Sequence, residues 1–218
     1  MTAGLPPSAP AAKRPVAPRD AASLVLVRRG SAGPEVLLGR RAGRHRFLPN
    51  MYAFPGGGVD QRDRSETPIN ILKYKQDFCR PFIGCDPGLA QALGVAAIRE
   101  TWEETGIALG RLENGRLRPD LSGLTYLCRA ITPAESPIRF HARFFLQDVT
   151  GQDFRLGGSG ELLDLAFRPL DAALRLPLAD ITEFVLGQIG ELGPDLAPRR
   201  LAFWRYRLGK PLIYWQKP

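Results

Sequence analysis

Three glutamates that lie close together in the sequence are the residues best suited to chemistry. Glu100, Glu103 and Glu104 belong to a segment, residues 89–105, that is rich in Ala, Leu and Glu and contains no proline. In an α-helix the spacing i, i+3 and i+4 brings all three side chains to one side. Carboxylates packed this closely repel one another, and an oxygen-preferring cation such as Mg²⁺ or Mn²⁺ would relieve that repulsion. The alternative is an exposed acidic helix face.

The other residues of this helix favour the metal site. Its apolar residues fall on two neighbouring lines, Ala90, Leu93 and Ala97 in one and Val95, Ile98 and Trp102 in the other. Arg99 is the only basic residue in the segment, so the glutamates lack the lysine partners at i,i+4 that are typical of a solvated acidic face. We therefore expect the carboxylates to lie where a packed helix face meets an opening.

A glycine triplet upstream is the second feature that could take part in a site. Met51–Pro55 (MYAFP) predicts a short strand, which Gly56–Gly58 would end. Glycine lets the backbone turn sharply and approach a ligand closely, and free carbonyls in such a turn could complete the coordination of a metal ion. Alone, the triplet predicts only a loop.

Together these two features resemble the Nudix box, written as Gly, five residues, Glu, seven residues, then Arg-Glu-U-x-Glu-Glu-x-Gly-U, where U is bulky and apolar. Arg99–Ile107 (RETWEETGI) matches the second half and departs from it at Thr101. Gly57 and Asp63, an aspartate in place of glutamate, match the first half. Between Asp63 and Arg99 lie 35 residues where the motif has seven, so the box is split by an insertion.

The resemblance implies a fold, a reaction and a set of roles. The fold would be an α/β/α sandwich around a mixed β-sheet, and the reaction the hydrolysis of a nucleoside diphosphate linked to another moiety, by a Nudix diphosphohydrolase. Members of the family are commonly dimers, which makes a homodimer an expectation here. The implied roles are Mg²⁺ or Mn²⁺ binding by Glu100, Glu103, Glu104 and the Gly56 carbonyl, orientation of these glutamates by Arg99, and a further ligand or general base at Glu161.

A narrower resemblance, to the Nudix coenzyme A diphosphatases, concerns the substrate. Residues 37–42 (LLGRRA), then Arg46 and residues 54–57 (FPGG), follow the pattern of those enzymes, with Gly39 and Asn50 as departures. The resemblance implies coenzyme A or acyl-coenzyme A as substrate. Hydrolysis of NADH, ADP-ribose, nucleotide sugars or dinucleotides is an alternative, and a non-catalytic nucleotide- or RNA-binding module is an alternative of another class.

Arginines near these motifs are candidates for binding the phosphates of a substrate, because a guanidinium group pairs well with phosphate oxygens. Arg40, Arg41 and Arg46 precede the glycine triplet. Arg143 lies in an alternating strand, residues 139–145, with Phe140, Ala142 and Phe144 on one side and Arg139, His141, Arg143 and Phe145 on the other. One side would be core, and the arginine side could line the site.

Composition limits the classes of partner. The chain has 218 residues, 44% of them hydrophobic, and a formal net charge of +8, which favours anionic partners. Three cysteines and two histidines show no zinc-ligand spacing, and no apolar run is long enough for a membrane span. We expect a phosphorylated small molecule as the partner and a cytoplasmic location. Nucleic acid is not the expected partner, because a pure binder needs no glutamate cluster.

The domain organisation is predicted from composition and periodicity. Residues 1–20, rich in Pro and Ala, predict a flexible tail, residues 21–218 a single domain, and about 64–88 an insertion that splits the box. A hairpin is predicted at Ser23–Arg28 and Glu35–Arg40, and a terminal strand pair within Leu201–Tyr214. Further strands are predicted at Leu124–Ala130, Phe140–Gln147 and Leu162–Phe167, and helices at Leu89–Thr105, Leu170–Leu176 and Ala179–Leu192. Strands and helices intermix without a regular βαβ rhythm, which favours a mixed sheet.

Overall fold

A nine-stranded mixed sheet forms the centre of the fold. The computed structural model describes residues 16–31, 33–44, 48–70, 86–193 and 196–217. Its strands are β1 (Arg19–Gly30), β2 (Gly33–Arg41), β3 (Tyr52–Ala53), β4 (Gly56–Gly58), β7 (Thr125–Ile131), β8 (Phe140–Asp148), β9 (Leu162–Pro169), β10 (Leu201–Arg207) and β11 (Lys210–Gln216). The order is β11-β10-β7-β8-β1-β2-β3, with β4 paired to β1 and β9 paired to β2. The β1–β8 and β7–β10 pairs are parallel and the others antiparallel.

Helices cover both faces of this sheet. They are α1 (Gln61–Ser65), α2 (Pro87–Thr105), α3 (Leu170–Ala173) and α4 (Asp180–Glu191), with a 3₁₀ turn at Leu121–Gly123. Successive side chains of β1 point to opposite faces of the sheet. Leu24 and Leu26 belong to the core beneath α2, and Val25 and Val27 belong to the core beneath α4. The predicted α/β/α sandwich is therefore confirmed. Among the described residues, no helix is long and apolar enough to span a membrane.

The sequence of α2 explains its two ends. Asp86 caps the first turn, since its carboxylate accepts a hydrogen bond of 3.0 Å from the Leu89 backbone N–H, and Pro87 fits the first helical position. Gly106 ends the helix in the left-handed conformation, with φ of 77°, and its N–H donates to the Trp102 carbonyl. The apolar residues of the two predicted lines lie in the core, except for Trp102, which is only half-buried.

Several predicted boundaries are wrong. Strand β1 begins at Arg19, inside the segment predicted as a tail, and residues 1–15 lie outside the described residues. Gly56–Gly58 do not simply end a strand but form β4, because they pair with Ala21–Ser23 of β1. Of the predicted insertion, residues 87 and 88 begin α2, and residues 71–85 lie outside the described residues.

One hairpin was not predicted from the sequence. Strands β5 (Gly110–Glu113) and β6 (Arg116–Pro119) pair antiparallel around the dipeptide Asn114-Gly115. Both turn residues have positive φ, 51° and 75°, as a two-residue hairpin turn requires. An Asn-Gly dipeptide is a strong hairpin signal, so the sequence contained enough information to find it.

Candidate active site

Arg99 is the centre of a network of charged side chains at the C-terminal half of α2. Its guanidinium donates to both oxygens of Asp63, at 2.8 and 3.0 Å. It also donates to Glu100 at 2.9 Å, to Glu103 at 3.1 Å and to the Gly58 carbonyl at 3.1 Å. Burial by itself would lower the pKa of Arg99, but the hydrogen bonds to Asp63 and the charge of Glu100 outweigh it and raise that pKa. The guanidinium is therefore a fixed positive charge between the acids.

Asp63 joins the two halves of the split box. Its side chain is 1% exposed and forms a two-pronged ion pair with Arg99 across 36 positions of sequence. The same carboxylate accepts a 2.7 Å hydrogen bond from the Asp60 backbone N–H, which fixes it in the first turn of α1. An aspartate in place of the motif's glutamate is therefore long enough to pair with Arg99 here.

The glycine strand β4 touches two of the glutamates. The Gly56 N–H donates to Glu104 Oε2 at 2.8 Å. A Cβ atom at Gly57 would lie 2.4 Å from Glu100 Oε1, far inside van der Waals contact. A side chain at position 57 would therefore displace the Glu100 carboxylate from the backbone of the glycine strand.

The three glutamates differ in their exposure to water. Burial raises the pKa of Glu100, and Arg99 only partly opposes that shift. Burial also raises the pKa of Glu104 to about 8. The charge of Glu100 raises this pKa as well, and the hydrogen bond from Gly56 lowers it by less than burial raises it. The Glu103 side chain, by contrast, is 42% exposed. Two poorly hydrated carboxylates beside a third are a cluster that an added positive charge would stabilise.

These donors fit a hard divalent cation in their chemistry. Among the described residues, no three acidic, histidine or cysteine side chains are arranged to hold a metal ion in the present conformation. Glu100 and Glu103 are turned toward Arg99, and Glu104 is turned toward Gly56. The buried carboxylates with raised pKa nevertheless make an all-oxygen donor set, which Mg²⁺ and Mn²⁺ prefer.

The loop before β9 brings Glu161 to this cluster. Gly157 and Ser159 donate backbone hydrogen bonds of 2.9 Å to the Thr105 and Glu103 carbonyls at the end of α2. The charge of Glu161 raises the pKa of Glu104, so these two carboxylates lie near each other. The structure therefore brings the predicted Glu161 together with the helix glutamates.

The predicted phosphate-binding arginines differ in how close they lie to the glutamate cluster. Arg41 lowers the pKa of Glu104 by its charge and lines a cavity beside β4. Arg40 points elsewhere: it donates to Asn50 at 3.4 Å and its charge acts on the Tyr52–Asp164 pair. Arg46 lies outside the described residues.

Arg143 requires a correction. We expected it on a side of β8 that could line the site, but it is 1% exposed and bonded to Asp20 and to the His141 carbonyl. The cavity is lined instead by the opposite side of the strand, Phe140, Ala142 and Phe144. A buried guanidinium paired with a carboxylate is a structural group, so Arg143 is not placed to bind substrate.

Thr101, the departure from the motif, is accommodated within the helix. The residue is fully buried in a position where the motif has a bulky apolar side chain. Its hydroxyl donates to the Ala97 carbonyl at 2.7 Å, which satisfies the polar atom without a partner outside α2.

A cavity of about 490 Å³ adjoins the glycine strand on the sheet face that α4 covers. Its lining includes Gly56 and Gly57, which touch the glutamates, and Arg41. Apolar side chains make up most of its walls, among them Leu48, Phe54, Phe140, Phe144 and Trp204. Sequence reasoning missed this cavity because its walls come from separate strands and from the start of α4.

Comparison with known proteins identifies the family of this fold. No protein-family model matches the sequence. A solved structure of a Nudix hydrolase from Alicyclobacillus acidocaldarius is 32% identical, with a TM-score of 0.61, and the match covers 79% of this chain and 90% of that one. The Nudix domain of Shewanella oneidensis NrtR, solved in complex with ADP-ribose, shares the fold at 18% identity, with a TM-score of 0.51 over 81% of this chain and 88% of that one.

A curated relative matches a shorter region. Acyl-coenzyme A diphosphatase NUDT19 of Xenopus laevis is 35% identical over 101 residues. That alignment covers 37% of this chain and 26% of the relative, so the chain matches about a quarter of that protein's length. The match to nine tenths of the Alicyclobacillus enzyme is the broader one, and with it this chain belongs to the Nudix hydrolase family.

Proposed function

We propose that this protein hydrolyses the diphosphate linkage of a nucleoside diphosphate derivative, with coenzyme A or an acyl-coenzyme A as the substrate, in a reaction that depends on Mg²⁺ or Mn²⁺. The observation that carries the proposal is the Arg99 network. It holds Glu100 and Glu103 beside a glycine strand that opens into the cavity.

In this proposal Glu100, Glu103, Glu104 and the Gly56 carbonyl hold the metal. When bound, a divalent cation neutralises phosphate charge and lowers the pKa of a water molecule. Arg99 keeps the carboxylates in position, since it bonds to two of them and is itself fixed by Asp63. Because Gly57 has no side chain, the Glu100 carboxylate can lie directly against the backbone of the glycine strand.

Glu161 is the proposed general base. Its loop is tied to the end of α2 and to Ala42, whose N–H donates to the Glu161 carbonyl at 3.0 Å. The side chain is exposed, so it can accept a proton from a water molecule that attacks phosphorus. Cleavage of the P–O–P bond then leaves two phosphate products, one on each side of the broken linkage.

Two features support a coenzyme A-type substrate. The cavity beside the glycine strand is mainly apolar, which suits a nucleobase or the pantetheine arm, and Arg41 in its lining could pair with phosphate. The aligned region of the curated relative belongs to an acyl-coenzyme A diphosphatase. Both observations agree with the coenzyme A-like pattern of residues 37–57.

A panel of diphosphates tests the proposal. Coenzyme A, acetyl-coenzyme A, NADH, ADP-ribose and a dinucleoside polyphosphate would each be incubated with Mg²⁺ and with Mn²⁺, and the products identified by mass. We expect 4′-phosphopantetheine, or its acylated form, and adenosine 3′,5′-bisphosphate as the dominant products. Turnover of the other substrates alone would contradict the coenzyme A assignment, and turnover of none would contradict the reaction.

A further inference from the structure

A short segment before β9 lies across the C-terminal end of α2. We call this segment, residues 157–161 (GGSGE), the docking segment. The Gly157 N–H donates to the Thr105 carbonyl at 2.9 Å. The Ser159 N–H donates to the Glu103 carbonyl, also at 2.9 Å. The last carbonyls of a helix have no partner within the helix, so the docking segment supplies part of the hydrogen bonding at the end of α2.

Gly158 lies between these two hydrogen bonds and passes very close to the helix backbone. Its φ is +127°, a conformation that residues with a side chain rarely adopt. A Cβ atom at this position would overlap the carbonyl group of Glu104 and lie 2.8 Å from the Thr105 nitrogen. These are backbone atoms of α2, which cannot rotate aside as the end of a side chain can. A side chain at position 158 would therefore force the docking segment away from α2.

The other end of the docking segment is bonded to the chain that follows β2. The Ala42 N–H donates to the Glu161 carbonyl at 3.0 Å. The Arg44 guanidinium donates to the Gly160 carbonyl at 3.2 Å. The docking segment therefore connects the end of α2 to the end of β2, and its backbone is held from both sides.

The docking segment determines where Glu161 lies, because Glu161 is its last residue. Glu161 is close enough to Glu104 for their charges to interact. The helix itself has its own caps, since Asp86 begins α2 and Gly106 ends it in the left-handed conformation. Loss of the docked conformation should therefore move Glu161 and leave the glutamates of α2 in place.

We propose that Gly158 is a positioning residue, which holds Glu161 beside the glutamate end of α2, and that hydrolysis requires the docked conformation of residues 157–161. The inference rests on the proposed function, because it takes Glu161 as the general base and the α2 glutamates as the metal ligands. Gly158 acts through the backbone alone and needs no contact with the substrate.

G158A and G157A form a matched pair that tests the proposal. A Cβ at position 157 meets nothing within 4 Å, and its φ is not positive, so G157A should keep the segment docked. With coenzyme A and Mg²⁺, we expect kcat of G158A to fall by about 10²-fold, because a misplaced group near the reacting atoms costs about that much. KM should stay near the wild-type value, and G157A should behave as wild type.

The double variant G158A/E161Q distinguishes positioning of Glu161 from a general structural role. E161Q removes the proton acceptor that Gly158 is proposed to position. In the E161Q background, G158A should lower kcat by less than about threefold, because both changes affect the same group. A further loss of about 10²-fold in that background would overturn the positioning role.

Hydrogen–deuterium exchange separates this inference from the proposed function, because it requires neither metal nor turnover. The Gly157 and Ser159 amides should be protected in the wild type and in G157A, and should exchange at least about tenfold faster in G158A. Retained protection in G158A, or a wild-type kcat despite lost protection, would overturn the inference. Exchange as expected without any hydrolysis by the wild type would support the steric role of Gly158 and contradict the diphosphatase activity.

Discussion

The two faces of the central sheet differ in the chemistry of the side chains next to them. On the face that α2 covers, Arg99, Asp63 and the glutamates form a connected network of ion pairs within a few ångströms of one another. On the face that α4 covers, the cavity has mainly apolar walls, with Arg41 and Asp180 as the charged lining residues of the described chain. The glycine strand β4 lies between the ion-pair network and the cavity, since it contacts Glu100 and Glu104 and also lines the cavity.

This difference teaches that Arg99 and the glutamates are local in sequence, whereas Asp63, the glycine strand and the cavity are brought to them by the fold. Arg99, Glu100, Glu103 and Glu104 lie within two turns of one helix, so any sequence that forms the helix forms the cluster. The cavity depends on the whole sheet being assembled. Substitutions on the α2 face should therefore change kcat, and substitutions in the cavity should change KM.

The largest effect on the α2 face is expected from E103Q. The change removes one charge from a partly exposed glutamate, so folding should persist, and hydrolysis should fall by about 10² to 10³-fold because charge stabilisation by a metal ion contributes several kcal/mol. Steady-state kinetics with saturating Mg²⁺ would measure this. The matched control is E113Q, a similarly exposed glutamate in a surface ion pair, where the rate should be unchanged. Near-normal turnover in E103Q would refute the proposed metal site.

D63A tests whether the split box still acts as a unit. It leaves the half-enclosed Arg99 guanidinium without its two-pronged partner, which should lower the free energy of unfolding by about 3 kcal/mol. Hydrolysis should fall about tenfold as Arg99 loses its position. Urea denaturation would be compared with D171A, which breaks an exposed pair and should cost less than about 1 kcal/mol. Equal losses in both variants would argue against the role of Asp63.

G57A and G58A form a matched pair at the junction of the two faces. A Cβ at position 57 would lie 2.4 Å from Glu100 Oε1, whereas a Cβ at position 58 meets nothing within 4 Å. Glu100 can move aside, so G57A should fold but require about tenfold more Mg²⁺ for half-maximal rate. G58A should behave as wild type. If both variants respond alike to Mg²⁺, the close approach of Gly57 has no functional role.

A142L addresses the other face. Ala142 lines the cavity from β8, and three added carbons would occupy space proposed for the substrate. KM for coenzyme A should rise by about tenfold while kcat stays near the wild-type value. A fall in kcat with unchanged KM would show that this face takes part in the chemical step and would remove the distinction between the two faces.

The smallest effect concerns His141, at the start of β8. Burial lowers its pKa to about 4, and the charges of Arg143 and Arg129 add to the shift. As the pH falls from about 6.5 to about 4, the unfolded chain takes up this proton first, so folding stability is present above 6.5 and is lost through that range. Over the same pH range, the free energy of unfolding should fall by about 1 kcal/mol less in H141Q than in the wild type, after allowance for the partial exposure of this side chain. Parallel pH profiles for the two proteins would contradict this.

Features formed by one segment of the sequence were predicted more successfully than features that join distant segments. The α2 helix and the glutamate cluster were predicted because capping, apolar periodicity and motif all lie within residues 86–107. The ion pair from Arg99 to Asp63 was not predicted, because the two residues are 36 positions apart in the sequence. Position 143 was interpreted wrongly because alternation shows that two sides of a strand differ but not which one faces a cavity. The cavity itself depends on how distant strands pair, which periodicity does not encode.

The dependence of coenzyme A cleavage on Mg²⁺, followed by product mass in wild type and E103Q together, tests the central claim most directly. The proposed function predicts that 4′-phosphopantetheine and adenosine 3′,5′-bisphosphate form in the wild type only when Mg²⁺ or Mn²⁺ is present, and that E103Q forms them at least about 10²-fold more slowly at any Mg²⁺ concentration. Cleavage that persists in EDTA, or an E103Q rate close to that of the wild type, would contradict it.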